Sequence, residues 1–149
     1  MPTIPGTDAM LCDPDDPHDV DAAALARAEA VIANLRGAYL DWVRGDLARL
    51  HALLDEARAT PPAGRGEQMR QIFTVAHDVK GQGGSFGYDL VTRIGNHLCR
   101  YIERPEPWPD ARLEAVARHL EAMDRIIGER LEGAGGETGA ALWRQIACL

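Results

Sequence analysis

The sequence predicts an all-α protein: an antiparallel up-down four-helix bundle with an additional N-terminal helix and a short C-terminal helix. Three observations point to this fold class. Ala, Leu, Arg and Glu, which are strong helix formers, are among the commonest residues. Apolar residues recur every three or four positions in segments that prolines or glycines separate. No clean alternation of apolar and polar residues indicates a β-strand.

The chain of 149 residues suits a single domain flanked by two smaller parts. Residues 1–19 contain four prolines and an acidic run, and we expect a disordered or loosely attached tail there. The helical domain is expected over residues 20–132, with the bundle core at about 38–132. Residues 133–149 are expected to form a glycine-rich joint and a short C-terminal helix.

The additional N-terminal helix is expected from Asp21 to a break at Gly37, and it would pack on the bundle as a cap. The first bundle helix should run through Gly45-Asp46, because the apolar spacing keeps its phase there. It should end at the prolines that follow Thr60. The apolar positions of these two helices are Leu25, Ala28, Ile32 and Leu35, then Tyr39, Val43, Leu47, Leu50, Leu54 and Ala57.

Three further bundle helices and a terminal helix follow. The second bundle helix should begin near Glu67 and run into the glycine cluster at 81–87, and the third should begin near Tyr88. The fourth begins at Asp110, a good N-cap, and the terminal helix covers 140–148. The apolar positions of the bundle helices are Met69, Ile72, Phe73, Ala76 and Val79, then Leu90, Ile94, Leu98, Tyr101 and Ile102, then Leu113, Val116, Leu120, Met123, Ile127 and Leu131.

Composition argues against several classes of function. The formal net charge is −7, and no basic face that would suit a nucleic acid is visible. No segment approaches the roughly 20 apolar residues that span a bilayer, and the first residues lack a signal-peptide pattern. The three cysteines are widely spaced and form no metal motif. We therefore expect a cytoplasmic protein that binds neither nucleic acid nor membrane.

The most distinctive segment runs from Ala76 to Gly87 and reads AHDVKGQGGSFG. On a helical wheel with about 100° per residue, His77 falls roughly opposite the apolar stripe. Gly81 and Gly84 lie beside the histidine, and Lys80 follows it by one turn. We expect the imidazole to face solvent in a surface dimple. Each interior glycine costs a helix roughly 0.8–1 kcal/mol relative to alanine, and close approach of another macromolecule would explain that cost.

Phosphoryl transfer gives these residues coherent roles. A neutral imidazole is a competent nucleophile near neutral pH. The ammonium group of Lys80 would stabilise the negative charge that develops on the phosphoryl oxygens. Small residues at 81 and 84 would admit a partner that brings the other reactive group and a metal ion.

The segment His77-Asp78-Val79-Lys80-Gly81, with Gly84 to Gly87 after it, resembles the H-x-x-K-G…G signature of histidine phosphotransfer (HPt) domains. It is especially similar to the phosphoacceptor domain of chemotaxis-type histidine kinases. The resemblance is strong over residues 70–103, and the helix order extends it over roughly 38–132.

By this resemblance, His77 is the phosphoacceptor and Lys80 stabilises the phosphoryl group. The resemblance implies a docking surface for partner proteins, and Gly87 would also turn the chain into the next helix. The residues of this docking surface are Gly81, Gly84, Ser85 and Gly87.

One position departs from the family pattern. In several members, a Gln or Glu on the following helix hydrogen-bonds the phosphoacceptor imidazole. That position is Cys99 here, and a thiol is a much weaker partner. Asn96, one turn earlier on the same helix, is a substitute. Both residues are candidates for orienting His77.

We therefore expect a phosphorelay protein that shuttles a phosphoryl group between receiver-domain aspartates through a phosphohistidine. Its partners would be response-regulator receiver domains and a hybrid histidine kinase. Autokinase activity is not expected, because nothing in the sequence resembles an ATP-binding domain. No cofactor is expected either, since Mg²⁺ would belong to the partner receiver domain.

Two functions from other classes remain as alternatives. A non-phosphorylated helical adaptor would dock on a receiver or kinase, although docking alone needs neither the histidine nor the lysine. A metal-dependent HD-type phosphohydrolase would use the pair His77-Asp78 with His51 and with Asp110 or Asp124. That enzyme would leave the lysine and the glycines without a role.

Overall fold

The computed structural model describes residues 21–149, and this part of the chain contains five α-helices. They are α1 (Ala22–Arg58), α2 (Gly66–Gly83), α3 (Asp89–Ile102), α4 (Asp110–Gly128) and α5 (Gly136–Ala147). Short 3-10 turns at Pro62–Gly64 and Gly84–Phe86 precede and follow α2. The predicted all-α bundle is thus confirmed, whereas the tail predicted for residues 1–19 lies outside the described residues.

Paired residues occur in opposite order along neighbouring helices, as an antiparallel up-down arrangement requires. These pairs are His51–Asp124 and Arg58–Glu114 for α1 and α4, Lys80–Asn96 and Gly84–Thr92 for α2 and α3, and His97–His119 and Tyr101–Arg112 for α3 and α4. Short loops join successive helices, so each helix returns beside its predecessor.

One apolar core unites the helices within residues 38–149, which form a compact unit. The apolar stripes predicted for the four bundle helices lie in this core, with Phe73 and Leu131 only partly buried at its edge. Leu131 was expected inside the fourth bundle helix, but α4 ends at Gly128. Burial of these stripes supplies the main free energy that holds the bundle together.

The predicted helix break at Gly37 is not observed, because α1 continues from Ala22 to Arg58. A single glycine weakens a helix by about 1 kcal/mol, and the strong helix formers around it outweigh that loss. The packing of the residues before Gly37 as a cap stays a prediction. The large apolar side chains of that stretch are between 49% and 57% exposed, and they are Leu25, Val31, Ile32 and Leu35.

A buried arginine fixes the bundle at the start of α2. The guanidinium of Arg65 is almost fully buried, and its ion pair with Asp110 has a length of 2.8 Å. It also donates to the backbone carbonyls of Ala57, Thr60 and Trp108. Asp110 was expected to cap α4, but it is the first residue of that helix and pairs with Arg65 instead. Partners for the buried donors offset the cost of removing this charge from water.

The C-terminal helix α5 begins at Gly136, four residues before the predicted start. It packs on α3 and α4 through the buried side chains of Leu142 and Ile146. The guanidinium of Arg93 lies 3.9 Å from the ring centroid of Trp143, which adds a cation–π contact. None of the helices within residues 21–149 has the length and apolar character needed to cross a membrane.

Candidate functional site

His77 lies on the outer face of α2. The buried stripe of Ile72, Ala76 and Val79 turns the histidine outward, and its side chain is exposed as the helical wheel predicts. The imidazole stands 6.2 Å from the ring of Phe73, one turn earlier. Within residues 21–149 it makes no hydrogen bond, so its nitrogen lone pair is free to meet a reactant.

Lys80 lies one turn after His77, on the same side of α2. Its ammonium group donates to Oδ1 of Asn96 on α3, with an Nζ to Oδ1 distance of 3.3 Å. The lysine side chain is half-buried and forms no ion pair with a carboxylate in residues 21–149. Its positive charge therefore remains available to an incoming anion.

Two of the glycines beside His77 leave the surface open. A Cβ atom at Gly81 would meet no atom within 4 Å. A Cβ at Gly84 would lie 3.6 Å from Oγ1 of Thr92, an ordinary contact distance. Gly81, Gly84 and Ser85 are all exposed. The structure thus brings these predicted docking residues together around the exposed end of α2.

At the other two positions of the cluster, the backbone structure requires glycine. Gly83 is buried, and a Cβ there would lie 2.8 Å from Oγ1 of Thr92 and 3.0 Å from the carbonyl oxygen of Tyr88. Gly87 has φ of +88°, in the left-handed region that favours glycine. It turns the chain from the 3-10 turn into α3. The turning role of Gly87 is the one that the family resemblance implies.

Thr92 links the end of α2 to α3, and no pattern in the sequence indicates this role. Its hydroxyl accepts from the backbone N–H of Gly84 and donates to the carbonyl of Lys80, with both distances at 2.8 Å. In a continuous helix that N–H would bond the Lys80 carbonyl directly. The hydroxyl stands between the two groups, and α2 ends at Gly83.

The two candidates for orienting the imidazole contact other groups. Asn96 holds the ammonium of Lys80, and Cys99 is buried with only 3% of its surface exposed. Burial raises the pKa of the Cys99 thiol, although the nearby lysine charge opposes that shift. Neither side chain hydrogen-bonds His77 within the described chain, and their orienting role stays a prediction.

An acidic groove lies between α1 and α2. Its volume is about 500 Å³, and it is lined by Asp41, Trp42, Gly45, Asp46, Asp78 and Gln82. Burial, and then the charge of Asp78, raise the pKa of Asp46. Trp42 is 57% exposed. The groove adjoins the histidine through Asp78, its neighbour in the chain.

The residues of the alternative metal site are not gathered in one place. His51 pairs with Asp124 at 2.6 Å, whereas Asp110 pairs with Arg65. In the described part of the chain, no group of three His, Cys, Asp or Glu side chains is close enough to hold a metal ion. The geometry gives the phosphohydrolase alternative no support.

Comparison with known families decides the assignment. A family model for the Hpt domain matches residues 34–129, which is more than half of the chain. The chain belongs to the histidine phosphotransfer (Hpt) domain family. No match was found among curated proteins or among solved structures.

The matched region of this Hpt domain extends from within α1 to the residue after α4, and it contains His77 and Lys80. Hpt domains act in phosphorelays as carriers of phosphoryl groups rather than as autokinases. They interact with response-regulator receiver domains and with kinases. The expected family and its general role in phosphoryl transfer are therefore confirmed.

Proposed function

We propose that this Hpt domain shuttles a phosphoryl group between the aspartates of receiver domains, with His77 as the phosphoacceptor. One observation carries the proposal. His77 is an exposed histidine without an intramolecular hydrogen bond in residues 21–149, one turn before a lysine that no carboxylate neutralises. The open positions at Gly81 and Gly84 support close approach of a partner to this face of α2.

The chemistry requires only a nucleophile and a stabilising charge from this chain. The lone pair of one imidazole nitrogen of His77 attacks the phosphorus of the receiver's aspartyl phosphate. A P–N bond forms, the P–O bond to the aspartate breaks, and the carboxylate leaves with its electron pair. The other ring nitrogen keeps its proton. A second receiver's aspartate then attacks the same phosphorus, which breaks the P–N bond and restores the neutral imidazole.

Lys80 would stabilise the negative charge on the phosphoryl oxygens in both transfers. Mg²⁺ would be supplied by the receiver domain, which holds the aspartate that donates or accepts the group. The donor receiver would belong to a hybrid histidine kinase and the acceptor to a response regulator. The protein then acts as an intermediate and needs no cofactor of its own.

The test of this relay uses two receivers and the full chain. A phosphorylated donor receiver is mixed with the protein and Mg²⁺, and the label is followed to the protein and then to an acceptor receiver. A panel of receivers from the source organism should be screened as donors and as acceptors. We expect label on the wild type and on the acceptor, and none on either with His77→Ala.

The controls distinguish a phosphoryl carrier from a non-phosphorylated adaptor. Circular dichroism should show His77→Ala as fully folded, because an exposed side chain contributes little to stability. Receiver binding without labelling of the wild type would indicate a non-phosphorylated adaptor and would contradict the relay.

The docking surface is tested by a bulky side chain. Gly84→Leu should weaken receiver binding at least tenfold, because the new side chain projects from the exposed end of α2. Ala111→Leu, at an exposed position in the first turn of α4, is the matched control and should bind as the wild type does. Normal binding by Gly84→Leu would remove this part of the proposal.

A further inference from the structure

Helix α3 holds Lys80 at both its backbone and its side chain. The hydroxyl of Thr92 donates to the Lys80 carbonyl at 2.8 Å, and Oδ1 of Asn96 accepts from the lysine Nζ at 3.3 Å. Thr92 and Asn96 are four residues apart and therefore lie on one face of α3. That face is directed toward the lysine.

A glycine brings this face of α3 close to the lysine. A Cβ atom at Gly95 would lie 2.8 Å from Cβ and 3.3 Å from Cα of Lys80, so only glycine fits without a shift of the two helices. The isolated glycine within α3 marks this close approach. As a result, the lysine stem is packed near its root while its ammonium group reaches Asn96.

A lysine held in this way binds an anion at a lower cost in side-chain entropy. A free lysine side chain loses rotamer entropy when it is fixed. The bond to Asn96 removes part of that freedom before the phosphoryl group arrives. An amide oxygen is neutral, so it holds the ammonium group without cancelling its charge, as a carboxylate would.

We infer that Asn96 is a positioning residue for phosphoryl transfer, which holds the Lys80 ammonium group ready for the phosphoryl oxygens, while Thr92 fixes the lysine backbone. This inference rests on the proposed function, because it assigns Asn96 an effect through Lys80. It differs from the role predicted from the sequence, in which the amide would orient the imidazole of His77.

The test is a double-mutant cycle on the full chain with a small phosphoramidate as donor, which needs no receiver. His77 attacks the phosphorus of the N-protonated phosphoramidate, a P–N bond to the imidazole forms, the P–N bond of the donor breaks, and its nitrogen leaves as ammonia with the electron pair. The rate of phosphohistidine formation is measured for the wild type, Asn96→Ala, Lys80→Ala and the double variant. We expect Lys80→Ala to slow the reaction by about tenfold or more and Asn96→Ala by about fivefold. In the Lys80→Ala background, Asn96→Ala should add less than about twofold.

Charge and backbone variants separate positioning from a structural role. Asn96→Asp keeps a partner for the ammonium group but neutralises it, so it should be slower than Asn96→Ala. Thr92→Ala removes the hydroxyl bond to the Lys80 carbonyl and should slow the reaction, whereas Thr92→Ser restores a hydroxyl and should recover most of the lost rate. Melting temperatures of all variants are measured in parallel, and Asn34→Ala, at the other asparagine of the chain, serves as the unaffected control.

Each result has one meaning. The same slowing by Asn96→Ala with and without Lys80 would overturn the inference, because the asparagine would then not act through the lysine. Slowing by Lys80→Ala with no effect of Asn96→Ala would also overturn it and leave the proposed function standing. If the wild type and His77→Ala are phosphorylated equally, or neither is, the proposed function itself fails.

Discussion

At the scale of single residues, a buried histidine pair joins α3 to α4. His119 is fully buried, and its Nδ1 lies 2.7 Å from the carbonyl oxygen of Ala115. A carbonyl only accepts, so this nitrogen carries the proton and Nε2 accepts from Nδ1 of His97 at 2.8 Å. Burial lowers the pKa of His119 to about 4, and burial also lowers that of His97. Both shifts favour the neutral form of the pair.

This pair should make stability depend on pH. In the unfolded chain, His119 binds a proton near its ordinary pKa of about 6.5, whereas the folded protein resists protonation down to about pH 4. The unfolded state binds more protons between these values, so stability falls as the pH falls. The neutral His119 contributes its full stabilisation above about pH 6.5. We expect the free energy of unfolding to fall by about 2–3 kcal/mol by pH 4.

Urea unfolding of the wild type and of His119→Gln across this range measures the effect. The difference in unfolding free energy between the two proteins should shrink as the solution is acidified. A constant difference from about pH 7.5 to about pH 4.5 would show that His119 does not resist protonation.

At the scale of the element, α2 combines a buried stripe with an exposed end that carries the candidate site. The stripe was predictable, since residue spacing alone separates Ile72 and Val79 from His77. The contacts of the exposed end could not be predicted. Spacing shows which face of a helix a residue occupies, but not which side chain of a neighbouring helix meets it, so Thr92 and Asn96 were missed as partners of the α2 backbone and lysine.

The two kinds of glycine in α2 should respond in opposite ways to alanine. Gly81→Ala should raise the free energy of unfolding by about 0.5–1 kcal/mol, because its Cβ would meet open space and alanine favours the helix. Gly83→Ala should lower it by about 1–3 kcal/mol, because its Cβ would press on Thr92 and on the Tyr88 backbone. Chemical denaturation of the two variants measures both changes. Equal effects would show that the helices do not approach as closely at Gly83.

At the scale of the whole molecule, the core begins at Tyr39, although helical spacing of apolar residues begins at Leu25. The predicted bundle of residues 38–132 is close to the compact unit of residues 38–149, which adds α5. The large apolar side chains before Gly37 are exposed, although their spacing is that of a buried stripe. An apolar spacing indicates that a helix has one apolar face, but it does not indicate that this face is covered.

A matched pair of substitutions tests where the core begins. Leu35→Ala should change the free energy of unfolding by no more than about 0.5 kcal/mol, because Leu35 is 49% exposed. Leu54→Ala should lower it by about 2–5 kcal/mol, because Leu54 is 1% exposed and its removal leaves a cavity. Thermal and urea unfolding of the two variants compares the same chemical change in the same helix. A loss at Leu35 as large as that at Leu54 would mean that the N-terminal stretch of α1 is buried in solution.

Whether His77 is the phosphoacceptor is tested most directly by locating the phosphoryl group in the chain. The full-length protein is incubated with a phosphorylated receiver and Mg²⁺, kept at neutral pH, and analysed by tandem mass spectrometry. We expect one phosphoryl group, on the imidazole of His77, and none on the His77→Ala variant. A phosphoryl group on any of the other four histidines, or undiminished labelling of the His77→Ala variant, would show that His77 is not the phosphoacceptor.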